Sequence, residues 1–163
     1  VGFNREYFQN SDELDKNIAN MFSYLENKRS STKLGDILQN NSEVDPKYTI
    51  SDRLLAGHVR RRKEHKIKGN GFGYSLFNED SPFCNTISAR YYKDGSEILI
   101  DQSKESKNPR KLTPRECHRL MGFRDDYKIA VSDTQAYRQA GNSIVVDILI
   151  ALLKQMDITM HAK

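Results

Sequence analysis

The chain has 163 residues, with 26 Lys and Arg against 22 Asp and Glu for a formal net charge of +4, and a sequence pI near 9.0. That length allows one domain or a piece of one, and 37% apolar residues at a mean hydropathy of −0.75 support only a modest core. No run approaches the roughly 18 to 20 apolar residues of a spanning helix, and the first residues lack the basic, apolar, small order of a signal peptide, which argues against a membrane protein. Two cysteines, Cys84 and Cys117, are too few for a disulfide framework or a zinc site, so a reducing, cytoplasmic setting is expected. The chain opens at Val1 and not at a methionine, and we expect a piece of a longer protein or a subunit.

In chain order, apolar spacing at Leu14, Ile18, Met21, Phe22 and Leu25 predicts a helix from about Ser11 to Asn27. Polar links follow at Asn27 to Thr32 and Asn40 to Pro46. Ser51 reads as the N-cap of a helix with Leu54, Leu55, His58 and Val59 on one face. That helix runs into the basic stretch His58 to Lys68 and must end by Gly69. The charge is regional: residues 1–46 hold five basic and eight acidic side chains, and 47–163 hold twenty-one and fourteen. Phosphate backbones are the natural partner of such a run, and a solvated helix end complementing the macrodipole is the alternative.

Gly69 to Tyr74 contains three glycines and two aromatics, which predicts a loop whose backbone can approach a ligand closely, or an ordinary hairpin loop. Thr86 to Tyr92 and Glu97 to Ile100 are β-prone and joined through Asp94-Gly95, a hairpin signal. Thr113-Pro114-Arg115-Glu116 is a capping box with Pro at the first helical position, and Gly122 should stop that helix. Ser132 to Gln135 repeats the device. Gly141 is expected to end that helix, with Asn142-Ser143 capping a last one that carries a stripe of Val145, Ile148, Leu149, Leu152, Leu153 and Met156.

The segments Arg110-Lys-Leu-Thr-Pro-Arg-Glu-Cys-His-Arg-Leu-Met-Gly-Phe123 and Ser132-Asp-Thr-Gln-Ala-Tyr-Arg-Gln-Ala-Gly-Asn-Ser-Ile-Val-Val146 resemble the ninth and tenth conserved blocks of DNA cytosine-5 methyltransferases. Val1 to Arg5 resembles the tail of the eighth block. Lys68 to Tyr74 and Thr86 to Asp101 are similar to the target recognition domain of the Dcm-type subgroup, which methylates the inner cytosine of CC(A/T)GG. The resemblance is weakest from about Gln9 to Leu34. It implies a mixed α+β (α/β) chain in four parts: 1–10 ending a catalytic-domain strand, 11–108 a small target recognition domain of β-hairpins and helices, 109–130 the ninth-block helix and its connection, and 131–163 helices that return to a Rossmann-like methyltransferase domain.

In that family a Pro-Cys thiolate adds to C6 of a flipped cytosine, a Glu-Asn-Val glutamate steadies N3, and S-adenosylmethionine supplies the methyl group. Neither motif occurs here, nor does the glycine-rich first block that holds the cofactor. Cys84 and Cys117 have no paired base in the sequence and read as structural thiols. The chain alone is expected to be inactive, its catalytic partner being the N-terminal half of the same or a split enzyme. A stand-alone DNA-binding module is the alternative. If the last helix packs on a catalytic half, its stripe is orphaned here and self-association is expected.

Double-stranded DNA is the implied partner. Arg60, Arg61, Arg62, Lys63, Lys68, Lys93 and Arg110 are expected on phosphates. Asn70 and Phe72 belong to the first recognition loop, and Thr86 matches the threonine of the family's Thr-Leu pair, with Ile87 in place of leucine. Arg90 is the candidate for base readout, because a guanidinium pairs bidentately with guanine O6 and N7; a solvent-facing strand arginine is the alternative. Tyr91 and Tyr92 would point to opposite faces of a strand, one of them into the core. His58, His65 and His118 show no metal spacing. Asn142 and Ser143 would lie beside the methionine part of S-adenosylmethionine, at a helix start whose N–H groups can receive an anion.

Overall fold

The computed structural model describes residues 15–16, 18–19, 32–71 and 73–161, with side chains as far as residue 157. Two compact units divide the chain, one of residues 32–143 and one of 1–31 with 144–163. Residues 15–16 and 18–19 are helical; the rest of the expected 11–27 helix, like Val1 to Arg5, lies outside the described residues.

The 32–143 unit begins with 3-10 turns at Leu34–Asp36, Asn41–Glu43 and Pro46–Tyr48 and then forms helix α1, Asp52–Lys68. The Ser51 hydroxyl accepts from the Leu54 N–H at 3.3 Å, and Gly69 closes the far end at φ +68°, a left-handed conformation that only glycine adopts without cost. A small sheet follows, made of β1 (Leu76–Phe77), β2 (Leu99–Ile100) and β3 (Arg110–Lys111). Central β2 is parallel to β1, with Leu76 opposite Leu99, and antiparallel to β3, with Leu99 opposite Lys111. Both β2 residues are buried, as a central strand covered on both faces requires.

Helix α2 (Pro114–Leu120) starts with the expected capping box: the Thr113 hydroxyl accepts from Glu116 N–H, and the Glu116 carboxylate accepts from Thr113 N–H at 2.7 Å. Met121 forms its C-cap, followed by Gly122 at φ +83°. Helix α3 (Asp133–Asn142) begins after Ser132, and Ala136, Tyr137 and Ala140 form its buried face. These meet Tyr91, Ile98, Leu99, Leu112 and Cys117 in the core. At its centre, two phenols satisfy both backbone groups of Leu112, which lies outside the sheet. Tyr91 donates to Ile98 O at 2.6 Å and accepts from Leu112 N–H at 2.8 Å, while Tyr137 donates to Leu112 O at 2.6 Å. Their rings pack edge to face at 5.5 Å, a favoured aromatic arrangement.

The 86–100 hairpin does not form. Residues 86–88 have no regular structure and 89–94 coil through consecutive turns, with Tyr91 N–H bonded to Ser88 O, Lys93 N–H to Arg90 O and Gly95 N–H to Tyr91 O. The Ser88 hydroxyl accepts from Arg90 N–H at 3.2 Å and the Asp94 carboxylate from Ser96 N–H at 3.2 Å. These local side-chain bonds offer the backbone an alternative to a ladder, and the Tyr91 hydroxyl bonds fix that choice. Tyr91 is nevertheless core and Tyr92 half-buried at the surface. The sheet therefore draws its outer strands from either side of the expected hairpin.

The second unit is described mainly by helix α4, Val146–His161. Along it Ile148, Leu149, Ile150 and Leu153 are exposed and Leu152 and Met156 are half-buried, as is Val145 just before it, so half of the expected stripe faces solvent. Among the described residues no helix is long and apolar enough to cross a membrane.

Candidate nucleic-acid interface

Arg60, Arg62, Lys63 and Lys68 are exposed along α1. Arg60 lies 3.7 Å from Glu64 one turn on, a solvent-exposed pair that holds the side chain only weakly. Arg62 lies over the Tyr74 ring at 5.2 Å, a cation–π contact that gives the chain beyond α1 a fixed partner on the helix. Gly73 completes this return: a Cβ there would overlap the Arg62 backbone. Gly69 and Gly71 adopt positive φ, 68° and 42°. The three glycines are thus spent on folding the loop against its own helix. Asn70 is exposed at the loop's start, and Phe72 lies outside the described residues.

Arg90 and Lys93 project from the 89–94 turns into solvent. With Arg61, Ser88, Asp94 and Glu97 they line a hollow of about 290 Å³. Arg61 joins the turn to the helix: its Nη2 donates to Asp94 Oδ2 at 2.9 Å. Burial works to raise the Asp94 carboxyl, but the Arg61 guanidinium and the Ser96 N–H outweigh it and hold it below the ordinary carboxylate range. Arg61 is therefore paired with a carboxylate, whereas Arg90 and Lys93 are exposed beside it. Thr86 is exposed two residues before Ser88.

Arg110 does not reach a phosphate. It is fully buried, with Nη1 donating to Glu116 Oε2 at 2.8 Å and Nη2 to Glu116 Oε1 at 2.9 Å. Releasing it to solvent would strand a buried carboxylate, so its place among the phosphate contacts is withdrawn.

The Asn142-Ser143 turn also differs from expectation. Helix α3 continues through Gly141 and Asn142, Ser143 is its C-cap with N–H bonded to Ala140 O at 3.1 Å, and α4 starts only at Val146. Asn142 and Ser143 stand where a helix presents carbonyl oxygens, not N–H groups, so the anion argument fails. Gly141 serves close packing: a Cβ there would overlap the Ser88 carbonyl and Ala89 N. The neighbouring Arg138 stacks over Tyr92 at 5.0 Å and bonds its hydroxyl. Helix α3 thereby buttresses the segment that carries Arg90 and Lys93.

Neither cysteine is poised as a nucleophile. Burial pushes the Cys117 thiol well above its ordinary value, with the Glu116 carboxylate adding to the effect, and burial raises Cys84 as well. Among the described residues no three His, Cys, Asp or Glu side chains gather as metal ligands would. His58 and Asp94 are the contributors that sequence patterning passed over. His58 sits on the apolar face of α1, but Asp94 carried only a turn signal.

The family model for C-5 cytosine-specific DNA methylases matches residues 1–157. The chain is 50% identical to the type II methyltransferase M.SsoII of Shigella sonnei over 99% of its own length and 40% of that protein's. It is 52% identical to the type II methyltransferase M1.ScrFI of Lactococcus lactis subsp. cremoris over 96% and 37%, respectively. The DNA-cytosine methyltransferase of Escherichia coli K12 is 43% identical over 70% of this chain and 28% of its own. The chain thus spans about 40% of the length of the first two. In fold it is similar to the S. pombe Dnmt2 methyltransferase, with a TM-score of 0.64 at 20% identity, covering 86% of this chain and 46% of that one.

Proposed function

Because the chain belongs to the C-5 cytosine-specific DNA methylase family, we propose that it is the target-recognition portion of a DNA (cytosine-5-)-methyltransferase acting on duplex DNA in the bacterial cytoplasm. The observation that carries this reading is the exposed cationic set Arg60, Arg62, Lys63 and Lys68 on α1, tied through Arg61 and Asp94 to Arg90 and Lys93. Such a set tracks phosphates with its helical row and offers one guanidinium, Arg90, for a guanine edge. Thr86 and Asn70 add neutral contacts beside it.

The cofactor of the whole enzyme would be S-adenosylmethionine, which supplies the methyl group when bound. The residues here fit part of it. The C-terminal end of α3 carries partial negative charge, so Asn142 and Ser143 suit the cationic end of its methionine portion better than the carboxylate. The thiolate and the glutamate of the reaction would come from a polypeptide bearing the Pro-Cys and Glu-Asn-Val motifs. That polypeptide would cover the exposed side chains of α4; in its absence the same stripe would drive self-association.

The test is reconstitution: this chain mixed with a polypeptide carrying those motifs, assayed for radiolabelled methyl transfer to a CC(A/T)GG duplex and to scrambled duplexes. Transfer that needs both polypeptides and prefers the CC(A/T)GG site is expected. Transfer by this chain alone would overturn the assigned division of labour, as would duplex binding by neither the mixture nor the chain.

A further inference from the structure

Two residues that line the hollow between α1 and the 89–94 turns, Arg61 and Asp94, bond to a side chain that the recognition reading leaves unused. His58 is fully buried on α1, one turn before Arg61 and Arg62. Its Nε2 lies 3.2 Å from Asp94 O, and its Nδ1 lies 2.9 Å from Arg61 Nη2. The same Nη2 reaches Asp94 Oδ2 at 2.9 Å, so His58, Arg61 and Asp94 form a closed ring of three bonds.

The chemistry of the ring assigns its protons. A guanidinium has no acceptor, so His58 Nδ1 must be the unprotonated, accepting nitrogen. A carbonyl oxygen cannot donate, so Nε2 must carry the hydrogen. Both requirements select the neutral Nε2–H tautomer, and neither nitrogen can change role without breaking a bond. The Tyr74 ring packs on the imidazole at 5.6 Å with Arg62 on Tyr74, so the groups facing His58 are Arg61 from its own helix, Asp94 from the turn and Tyr74 from the returning loop.

Resting on the recognition reading above, we infer that His58 is a positioning residue for duplex recognition: its neutral imidazole pins the Arg90–Lys93 turn to α1, so that the helical phosphate row and the base-reading arginine meet DNA as one rigid surface. Tyr91 in the core and Arg138 over Tyr92 hold one side of the turns; without His58 their Asp94 end would be left to Arg61 alone and would have to be ordered on binding, at a cost in affinity. The ring orders it beforehand. Arg61 is then a brace more than a phosphate ligand, which accounts for a cation placed beside Asp94 in an otherwise basic face.

The experiment uses the chain itself and its variants His58→Phe and His58→Gln. His58→Phe keeps the ring packing on Tyr74 and removes both polar bonds, and His58→Gln keeps a donor near the Nε2 position. Amide hydrogen exchange at Gly95 and Ser96 reads the pin directly, and fluorescence binding of a short duplex reads recognition. His58→Phe is expected to speed exchange at these amides about tenfold and to weaken duplex binding severalfold, with His58→Gln recovering most of both. In the wild type, exchange corrected for intrinsic rates should quicken as the imidazole protonates, and in His58→Gln that acid step should vanish. Unchanged exchange in His58→Phe overturns the pin whether or not DNA binds. Faster exchange with undiminished duplex affinity overturns the positioning role and leaves the recognition reading standing. No duplex binding by the wild type under any salt condition overturns the recognition reading, while the exchange data still decide the pin. Should His58→Phe fail to fold, the wild type and His58→Gln decide the pin between them: an acid step in exchange at these amides that is present in the wild type and absent in His58→Gln supports it, and the same step in both overturns it.

Discussion

The carboxylate of Glu116 and the guanidinium of Arg110 face each other as a fully buried bidentate pair, at 2.8 and 2.9 Å. Each Glu116 oxygen takes a second hydrogen: Oε1 from Gln39 N–H at 2.8 Å and Oε2 from Thr113 N–H at 2.7 Å. One side chain therefore caps α2, fastens the 34–41 segment and neutralises a buried cation on β3. Burying such a pair is costly against an apolar alternative, but losing one member is worse. Glu116→Ala should destabilise the 32–143 unit by about 3 to 5 kcal/mol in urea denaturation. The double substitution Arg110→Met with Glu116→Met should recover most of that, short of the two orphaned N–H groups. A single variant within about 1 kcal/mol of wild type would show that the pair is solvated in solution.

Two glycines in helices should respond oppositely to alanine. At Gly57 in α1 a Cβ would meet nothing within 4 Å, so Gly57→Ala gains helix propensity and should stabilise by about 0.5 to 1 kcal/mol. At Gly141 in α3 the Cβ would overlap the Ser88 carbonyl, which is backbone and cannot rotate aside. The same propensity gain is then outweighed by overpacking of about 1 to 3 kcal/mol or more. Differential scanning calorimetry should show Tm rising for one and falling for the other. Equal shifts of the same sign would refute the close approach of α3 to the 88–89 peptide.

The contrast between these glycines marks what the sequence could convey. The caps at Ser51 and Thr113 and the stop at Gly69 are legible, because each rests on neighbours within four residues; at Ser132 a helix does begin, but the expected second capping box does not form, since its side chain makes no capping bond. Gly141 looked like a helix end because glycine usually ends helices, and its true cause lies some fifty residues away in the chain. Thr86 to Tyr92 failed for the same reason: its β propensity is local, whereas the Leu112 peptide that captures the Tyr91 hydroxyl is not. The charge of Arg110 alone points to DNA. Glu116, six residues on, was already marked as a capping residue, but a linear pattern does not say that one carboxylate serves two partners.

Acid should loosen the hollow in two stages. Burial lowers the His58 imidazole below its ordinary 6.5, with Arg61 acting in the same sense against Asp94. Asp94 lies below its ordinary 3.8, since Arg61 and Ser96 outweigh burial. For both groups the unfolded chain takes up its proton at higher pH than the folded one. The contribution of His58 is thus complete above pH 6.5 and lost as pH falls from there through its depressed folded value. That of Asp94 is complete above 3.8 and lost below it in the same way. Urea midpoints measured against pH should show both declines, with His58→Gln removing the upper and Asp94→Asn the lower. A midpoint that rises on acidification between pH 6.5 and 5 would contradict the neutral, buried imidazole.

Arg90 and Lys63 separate reading a base from holding a phosphate. Both are exposed and both are cationic, so loss of either weakens binding to any duplex. Their geometry differs: Lys63 lies in the row along α1, whereas Arg90 projects from a turn braced on both sides, by Arg61 to Asp94 and by Gly141 against Ser88. A bidentate contact with guanine loses about 1 to 3 kcal/mol of discrimination when the guanidinium is removed, and a phosphate contact loses none. Arg90→Ala should therefore narrow the affinity gap between cognate and scrambled duplexes by that amount. Lys63→Ala should weaken both equally and reduce the salt slope by about one unit. Filter binding or fluorescence anisotropy over a salt series resolves the two. If Arg90→Ala lowers affinity equally for every duplex, Arg90 is one more phosphate contact, and base readout must be sought at Asn70, Thr86 or the loop between Gly71 and Gly73.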